Sequence, residues 1–293
     1  MGASFPSALR AAVHWFALAA LLTAALLAAP GPVQAETPDA ALKTAIDGPW
    51  REPAARARDA WRHPAESLAF WGLKPGMTIV EVDPGAKGWW TQILAPYARA
   101  THGAYVAALP DRAPANSPDN LEAMRAAFLK GVADASIYGE VKGYDFGLEH
   151  PDAIPAGSAD LVLVARAFHN WAREGDATGV YLRAFFAILK PGGVLAVEQH
   201  RAPEGADPRA GTGYVPESYV IDEAKKAGFL FEAKSEINAN PKDTKDYPFG
   251  VWTLPPTRRS APVGQPADPS FDHSKYDAIG ESDRMTLKFR KPG

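Results

Sequence analysis

Residues that could hold a small charged ligand are concentrated in residues 80–97, which read VEVDPGAKGWWTQILAPY. Glu81 and Asp83 end a hydrophobic run, and Gly85 and Gly88 follow before a helix-like stretch. Glycine lets the backbone turn sharply and approach a ligand without a Cβ in the way. Free N–H groups at the start of a helix favour a carboxylate or a phosphate. The stretch therefore predicts a ligand-binding turn.

The same residues also allow a purely structural interpretation. Glu81 and Asp83 could cap the following helix or form a local salt bridge with Lys87. Gly85 and Gly88 could belong to an ordinary tight turn that binds nothing. Both alternatives remain open at the level of the sequence.

A second group of polar residues follows two other hydrophobic runs. DLVLVA (160–165) continues into ARAFHNW with Arg166 and His169, and VLAVEQ (194–199) continues into His200. Histidine is suited to general base catalysis near neutral pH. His169 is the preferred candidate base and His200 the second, but His169 could instead cap a helix or bond a carbonyl group.

Strand and helix patterns alternate along the chain and determine where these residues lie. Helices are predicted near 88–95, 117–132, 176–188 and 217–227, and strands at 78–82, 104–108, 136–140, 160–165, 194–199, 229–237 and 284–290. This alternation predicts an α/β protein with a Rossmann-like, seven-stranded, mostly parallel sheet covered by helices on both faces. The segment before the last strand shows no helical pattern, so that strand is predicted to be antiparallel. The turn and both histidines then meet at the carboxyl edge of the sheet.

The chain begins with a pattern typical of export. Residues 1–35 contain one basic residue, then an apolar run, and small residues at the two positions that a signal peptidase reads. They predict a signal peptide, export to the periplasm and no stable membrane insertion after cleavage. A retained membrane anchor is the alternative. Residues 36–72 are predicted to form an N-terminal leader and helices, in which 36–50 are a loose leader. Residues 73–293 are predicted to form the main domain, with a lid-forming insertion at 238–283.

Composition excludes several functions. The formal net charge is −3 and no basic block occurs, which argues against nucleic acid as a partner. Without cysteine the chain has no disulfide framework and no thiolate nucleophile. Glu149, His150 and Asp152 lie close together but lack a helical metal-binding spacing, so no metal is predicted. The oligomeric state is unknown from the sequence.

The order Glu-x-Asp-Pro-Gly-Ala-Lys-Gly resembles the first motif of class I S-adenosylmethionine-dependent methyltransferases. Further stretches are similar to a group of predicted exported bacterial methyltransferases and cover most of 60–290: RHPAESLAFWGLKPGM, GWWTQILAPY, DLVLVARAFHNW, LKPGGVLAVEQH and NPKDTKDYPFGVWTLPP. The resemblance implies a seven-stranded sheet with a reversed last strand. It also implies S-adenosylmethionine as cofactor and methyl transfer to a small-molecule acceptor.

The resemblance assigns roles to residues of the turn. Glu81 matches the acid that contacts the amino acid portion of the cofactor, and Gly85 and Gly88 match the glycines beside it. Asp83 stands where a first glycine is common, and the turn is about one residue longer than in the family. Asp83 and Arg166 are also expected to contact the cofactor.

The resemblance extends to the nucleoside of the cofactor. The acid that grips the ribose would be Asp111, three residues beyond the usual place, with a solvated turn residue as the alternative. Asp145 and Phe146 could contact the adenine by hydrogen bonding and stacking, with Asp152 as the alternative acid.

Two other functions compete with methyl transfer. The first is a non-catalytic ligand-binding protein that kept the fold while its cofactor motif degraded. The second is a nicotinamide-dependent dehydrogenase, which the missing acid directly after the second strand and the antiparallel tail disfavour. Aromatic residues in connections that could cover the site favour a small and apolar or aromatic substrate; they are Tyr214, Tyr247, Phe249 and Trp252.

Overall fold

The computed structural model describes residues 40–112 and 120–293. The predicted signal peptide and the first three residues of the helix predicted at 117–132 lie outside the described residues. All described residues belong to one compact unit. No helix among them is both long enough and apolar enough to cross a membrane.

One sheet runs through the protein in the order β3-β2-β1-β4-β5-β8-β7, with a two-residue strand, β6, paired to β5. β1 to β5 are parallel, and β8 lies antiparallel between β5 and β7. The predicted mostly parallel sheet with an antiparallel last strand is confirmed. The strands are β1 (Thr78–Val82), β2 (Ala104–Pro110), β3 (Lys142–Phe146), β4 (Ala159–Ala165), β5 (Leu189–Ala202), β6 (Val215–Pro216), β7 (Leu230–Ser235) and β8 (Arg284–Arg290).

Helices cover both faces of this sheet, because the strands carry apolar side chains on both sides. They are α1 (Ala40–Ile46), α2 (Pro53–Arg56), α3 (Asp59–Arg62), α4 (Pro64–Trp71), α5 (Thr91–Ala100), α6 (Leu121–Gly131), α7 (Ala135–Tyr138), α8 (Phe168–Trp171), α9 (Ala177–Ile188), α10 (Glu217–Lys226) and α11 (Ser274–Ile279). One buried core includes side chains of α1, α4 and α5, and the other includes side chains of α9 and α10.

The alternating direction of the side chains along β1 determines which face of the sheet Glu81 lies on. Val80 and Val82 belong to the core under α9 and α10, whereas Ile79 belongs to the core under α5. Successive side chains of a strand point to opposite faces. Glu81 therefore shares the face of Ile79 and lies beneath α5.

Two local predictions were wrong. Residues 136–140 do not form the third strand, because the Asp134 side chain accepts the backbone N–H of Ser136 and starts the short helix α7. The third strand is instead Lys142–Phe146, an edge strand whose exposed polar residues hide the pattern. Residues 40–50, which fall in the predicted loose leader, are not loose, since α1 buries Leu42 and Ala45 against the core.

Candidate functional site

A cavity of about 690 Å³ lies where the central parallel strands end, beside the predicted ligand-binding turn. The strand order reverses between β1 and β4 at this edge, which is where open α/β sheets bind their ligands. The volume falls within the range of roughly 300–1,000 Å³ that small-molecule sites occupy. Half of the residues predicted for the site line this cavity: Asp83, Gly85, Arg166, His169 and His200.

Asp83 and Arg166 follow neighbouring strands, and both have a left-handed backbone, with φ of 49° and 61°. Their backbone N–H groups donate to the carbonyl oxygens of Ala108 (3.0 Å) and Glu198 (2.7 Å). Such conformations cost roughly 1–3 kcal/mol for a residue other than glycine and are concentrated at functional sites. The fold therefore holds two strained, oppositely charged residues at the cavity wall.

Arg166 and Asp83 carry charges that the protein only partly balances. The Arg166 guanidinium makes no hydrogen bond to the described residues, and its Nε is buried. Burial lowers the pKa of Arg166, while the charge of Glu198 raises it. Burial raises the pKa of Asp83, and the charge of Arg166 opposes that effect. An anionic group near Arg166 would relieve the cost of its burial.

The two glycines of the turn have different reasons to be glycine. Both have positive φ, 68° at Gly85 and 50° at Gly88. A Cβ on Gly85 would meet no atom within 4 Å, because this residue faces open space at the cavity. A Cβ on Gly88 would lie 2.7 Å from Oγ1 of Thr91. Gly85 therefore leaves room for a ligand, whereas Gly88 is required by packing.

His169 and His200 lie side by side at the cavity, with ring centroids 5.7 Å apart. Burial lowers the pKa of His169 to about 3, and the charge of Arg173 adds to the effect. Burial also lowers the pKa of His200 well below its usual value, with His169 as the next cause. Both rings are neutral near pH 7, so either can take part in hydrogen bonds without carrying charge.

Hydrogen bonds distinguish the two histidines. The side-chain amide of Gln199 donates to the carbonyl oxygen of Gly213 (3.0 Å), which orients its nitrogen 3.4 Å from Nδ1 of His169. Nδ1 of His169 thus accepts, and in the neutral ring the proton stays on Nε2. Nδ1 of His200 lies 2.6 Å from Oγ of Ser282, a hydroxyl that can donate or accept. His200 can therefore keep Nε2 free as a proton acceptor.

A buried network of arginines and glutamates lies next to the histidines. Glu281 accepts from Nε of Arg58 (2.6 Å) and of Arg62 (2.9 Å), and it lies 3.1 Å from Arg284. Arg284 also donates to Glu198 at 2.6 Å. Burial alone would raise the pKa of Glu281, but the charges of Arg62, Arg284 and Arg58 lower it to about 2. Arg62 and Glu281 line the cavity.

The sequence analysis missed this network. β8 is antiparallel, so it begins at the edge where the parallel strands end, and Arg284 pairs with His200 in the sheet. The charged run at the start of β8, with Glu281 and Asp283 before the strand and Arg284 as its first residue, was a usable signal. No comparable signal marks Arg62, which reaches the cavity from α3.

Of the four aromatic residues predicted to cover the site, Trp252 lines the cavity. Tyr214 instead donates its hydroxyl to a buried carboxylate, and Tyr247 and Phe249 pack against other rings of the β7–β8 connection. Trp252 lies edge-on to His169, with 5.5 Å between ring centroids. The cavity wall is thus aromatic at Trp252.

No protein-family profile and no curated protein matches the chain. Solved structures share its fold: a putative sarcosine dimethylglycine methyltransferase from Galdieria sulphuraria matches over 84% of this chain and 90% of its own, with 13% identity and a TM-score of 0.54. The cyclase SpnF matches over 82% and 81%, with 16% identity and a TM-score of 0.50. The chain has the fold of the class I methyltransferases. Since a cyclase shares this fold, the fold alone does not decide the reaction.

Glu81, the acid of the turn that resembles a methyltransferase motif, is hydrogen-bonded inside the protein. Oε2 of Glu81 accepts from Oγ1 of Thr91 (2.8 Å) and from the hydroxyl of Tyr105 (2.7 Å). Burial raises the pKa of Glu81 to about 7, although the hydrogen bonds from Tyr105 and Thr91 lower it. Glu81 is not part of the cavity wall. Its observed place is beneath the turn, where it links β1 to α5 and β2.

Asp111, the predicted ribose acid of the methyltransferase fold, fastens a loop. Its Oδ2 accepts the backbone N–H groups of Glu149 and His150, both at 2.8 Å. The side chain is only 2% exposed, so it is not a solvated turn residue. The observed contacts hold the loop after β3 against the loop after β2.

The predicted adenine contacts lie apart from the large cavity. Asp145 forms an ion pair with Arg125 at the surface. Phe146 is buried and lines a second cavity of only about 40 Å³. Trp171 and Tyr181, whose rings stack at 4.2 Å, line the same cavity. One water needs about 10–15 Å³, so this space holds a few waters and no nucleoside.

The residues present therefore fit the methyltransferase cofactor in one part and not in another. Asp83, Arg166 and the open space at Gly85 suit the ammonium and carboxylate of its amino acid portion. The positions that the resemblance assigns to ribose and adenine are occupied by protein contacts. Among the described residues, room for a larger molecule beside the turn lies in the 690 Å³ cavity.

Proposed function

We propose that the chain transfers a methyl group from S-adenosylmethionine to a small-molecule acceptor held in the 690 Å³ cavity. The observation that carries the proposal is the pair Asp83 and Arg166, strained and oppositely charged at the end of β1 and β4. The amino acid portion of the cofactor carries an ammonium and a carboxylate, which complement those two side chains. When bound, the cofactor supplies an electrophilic methyl group.

The chain's own residues then position the acceptor, which is the main requirement of such a displacement. His169 donates from Nε2 toward the cavity and orients the acceptor, while Gln199 fixes its ring. Where the acceptor must lose a proton, His200 takes it at Nε2. This assignment reverses the order predicted from the sequence, in which His169 was the preferred base and His200 the second.

Calorimetric titration of the purified protein tests the proposal. S-adenosylmethionine and S-adenosylhomocysteine are expected to bind, and Asp83→Asn and Arg166→Gln should each weaken binding about 10- to 100-fold, since a hydrogen bond to a charged group contributes about 1.5–3 kcal/mol. Glu81→Gln serves as the matched control, because Glu81 lies beneath the same turn outside the cavity. Absence of binding at millimolar ligand would refute the proposal.

A second candidate, a non-catalytic ligand-binding protein, is favoured by the closed nucleoside positions. Methionine alone discriminates between the two. If the nucleoside contributes contacts, S-adenosylmethionine binds at least tenfold more tightly than methionine. Equal affinities would mean that only the amino acid portion is recognised, and the methyltransferase proposal would give way to the binding function.

A further inference from the structure

Arg62 is a buried cation whose two terminal nitrogens have no hydrogen-bond acceptor among the described residues. Its side chain is 0% exposed, and it lines the large cavity. Nε donates to Glu281, but neither terminal nitrogen has an acceptor among the described residues. The guanidinium lies over the ring of Trp89, 4.6 Å from its centroid, which satisfies no N–H group. A buried unsatisfied donor in a native protein points to a water, an ion or a ligand that completes it.

The charges around Arg62 point to an anion. Four guanidinium groups interact electrostatically in this network: those of Arg58, Arg62, Arg166 and Arg284. They face the two carboxyl groups of Glu198 and Glu281. Asp83 adds a third carboxyl group at the turn, which still leaves an excess of positive charge. Uncompensated buried charge is strongly unfavourable, so a negative group in the cavity would be stabilising.

The walls around the charge define the rest of the ligand. Met124, Val251 and Trp252 line the cavity together with the neutral rings of His169 and His200. These side chains suit an apolar or aromatic body rather than a strongly hydrated one. The arrangement combines one cationic end with an apolar, ring-rich wall.

We infer that the cavity recognises small molecules that carry a carboxylate or phosphate on an aromatic or apolar body, and that the two terminal nitrogens of Arg62 donate to the anionic group. The inference rests on the proposed function in naming these molecules as the methyl acceptors. The anion site itself stands without that function, because it depends on Arg62 and its network.

Arg51 provides a matched control. It is equally buried and lies over the same Trp89 ring, at 5.2 Å. Its terminal nitrogens are satisfied by Asp59 and by the carbonyl oxygen of Ile46, and it does not line the cavity. Replacing Arg51 removes a buried arginine without removing a donor from the cavity.

Calorimetry on the purified protein with benzoate, phenyl phosphate and uncharged benzamide tests the inference. Benzoate or phenyl phosphate should bind at least about tenfold more tightly than benzamide, since each charge-assisted hydrogen bond favours the anion. Arg62→Met should remove this preference, whereas Arg51→Met should keep it. Arg62→Lys retains the charge but offers a single ammonium, so an intermediate loss is expected even if Arg62→Met fails to fold.

Titration of S-adenosylmethionine on the same samples separates the two proposals. Arg62→Met is expected to bind the cofactor as the wild type does, because Arg166 and not Arg62 is proposed to contact it. Anion binding without cofactor binding would leave the anion site standing and remove the proposed function. Equal binding of benzoate and benzamide by the wild type, or unchanged anion preference in both Arg62 variants, would overturn the inference.

Discussion

Replacing Glu81 by glutamine is expected to stabilise the protein at neutral and alkaline pH. Burial raises the pKa of Glu81 from 4.5 to about 7, against the lowering effect of the Tyr105 and Thr91 hydrogen bonds. Between these pH values the folded protein keeps a proton on Glu81 that the unfolded chain has released. The free energy of unfolding therefore falls as the pH rises through this window.

The size of the effect follows from the pKa difference. Linkage gives a loss of about 1.4 kcal/mol per pH unit within the window, and about 3 kcal/mol in total. Glutamine does not ionise, and its side-chain oxygen can still accept from Tyr105 and Thr91. The stability difference between Glu81→Gln and the wild type should grow from near pH 4.5 and become constant above about pH 7.

Urea unfolding from about pH 5 to about pH 8 measures this difference. Glu66→Gln, at an exposed position, is the control and should run parallel to the wild type. Tyr105→Phe removes a hydrogen bond that lowers the pKa of Glu81, so the pKa of Glu81 should rise further in this variant. The pH-dependent loss of stability of the variant should therefore continue to higher pH than in the wild type. If the Glu81→Gln and wild-type profiles are parallel, the carboxyl group is not buried as described and the reasoning fails.

Three further predictions concern the same edge of the sheet. Burial lowers the pKa of His169 from 6.5 to about 3, so between these pH values the folded state binds fewer protons than the unfolded chain and stability falls as the pH falls. In urea unfolding, His169→Gln should reduce the free energy of unfolding that is lost between pH 6.5 and about pH 5 by about 2 kcal/mol. Gly88→Ala should lower thermal stability more than Gly85→Ala, because its Cβ would lie 2.7 Å from Oγ1 of Thr91, whereas calorimetry should show Gly85→Ala weakening cofactor binding. Asp111→Ala leaves two backbone N–H groups without their acceptor and should cost about 2–3 kcal/mol in urea unfolding while cofactor affinity is unchanged.

The sheet could be predicted because its central strands are continuous apolar runs. The runs at 78–82 and 160–165 are buried on both faces and need no tertiary information to recognise. The edge strand Lys142–Phe146 was not predicted, because an edge strand carries polar residues and its sequence pattern is that of a loop. Helix α1 was not predicted, because this seven-residue helix buries only two residues, which are too few to give a periodic hydrophobic pattern.

The position of the cavity at the carboxyl edge of the sheet was predictable, but the residues that line it were predictable only in part. The glycine turn and both histidines follow from the rule that strands present their carboxyl ends at one edge. The place of Glu81 could have been read from the alternation along β1, which puts it on the face of Ile79. The place of Arg62 could not be predicted from the sequence, because it depends on a contact with Glu281, which lies 219 positions further along the chain.

For the proposed ligands, that contact would make binding depend on the completion of folding. β8 follows every other strand in the chain yet lies inside the sheet, between β5 and β7. Pairings between distant segments form late, because loop closure is unfavourable until other contacts compensate for it. We therefore expect the wall containing Arg62 and Glu281 to form only after β8 has been inserted. A ligand of this cavity would therefore bind only fully folded chains, because partly folded chains in which β8 is not yet paired lack a complete cavity.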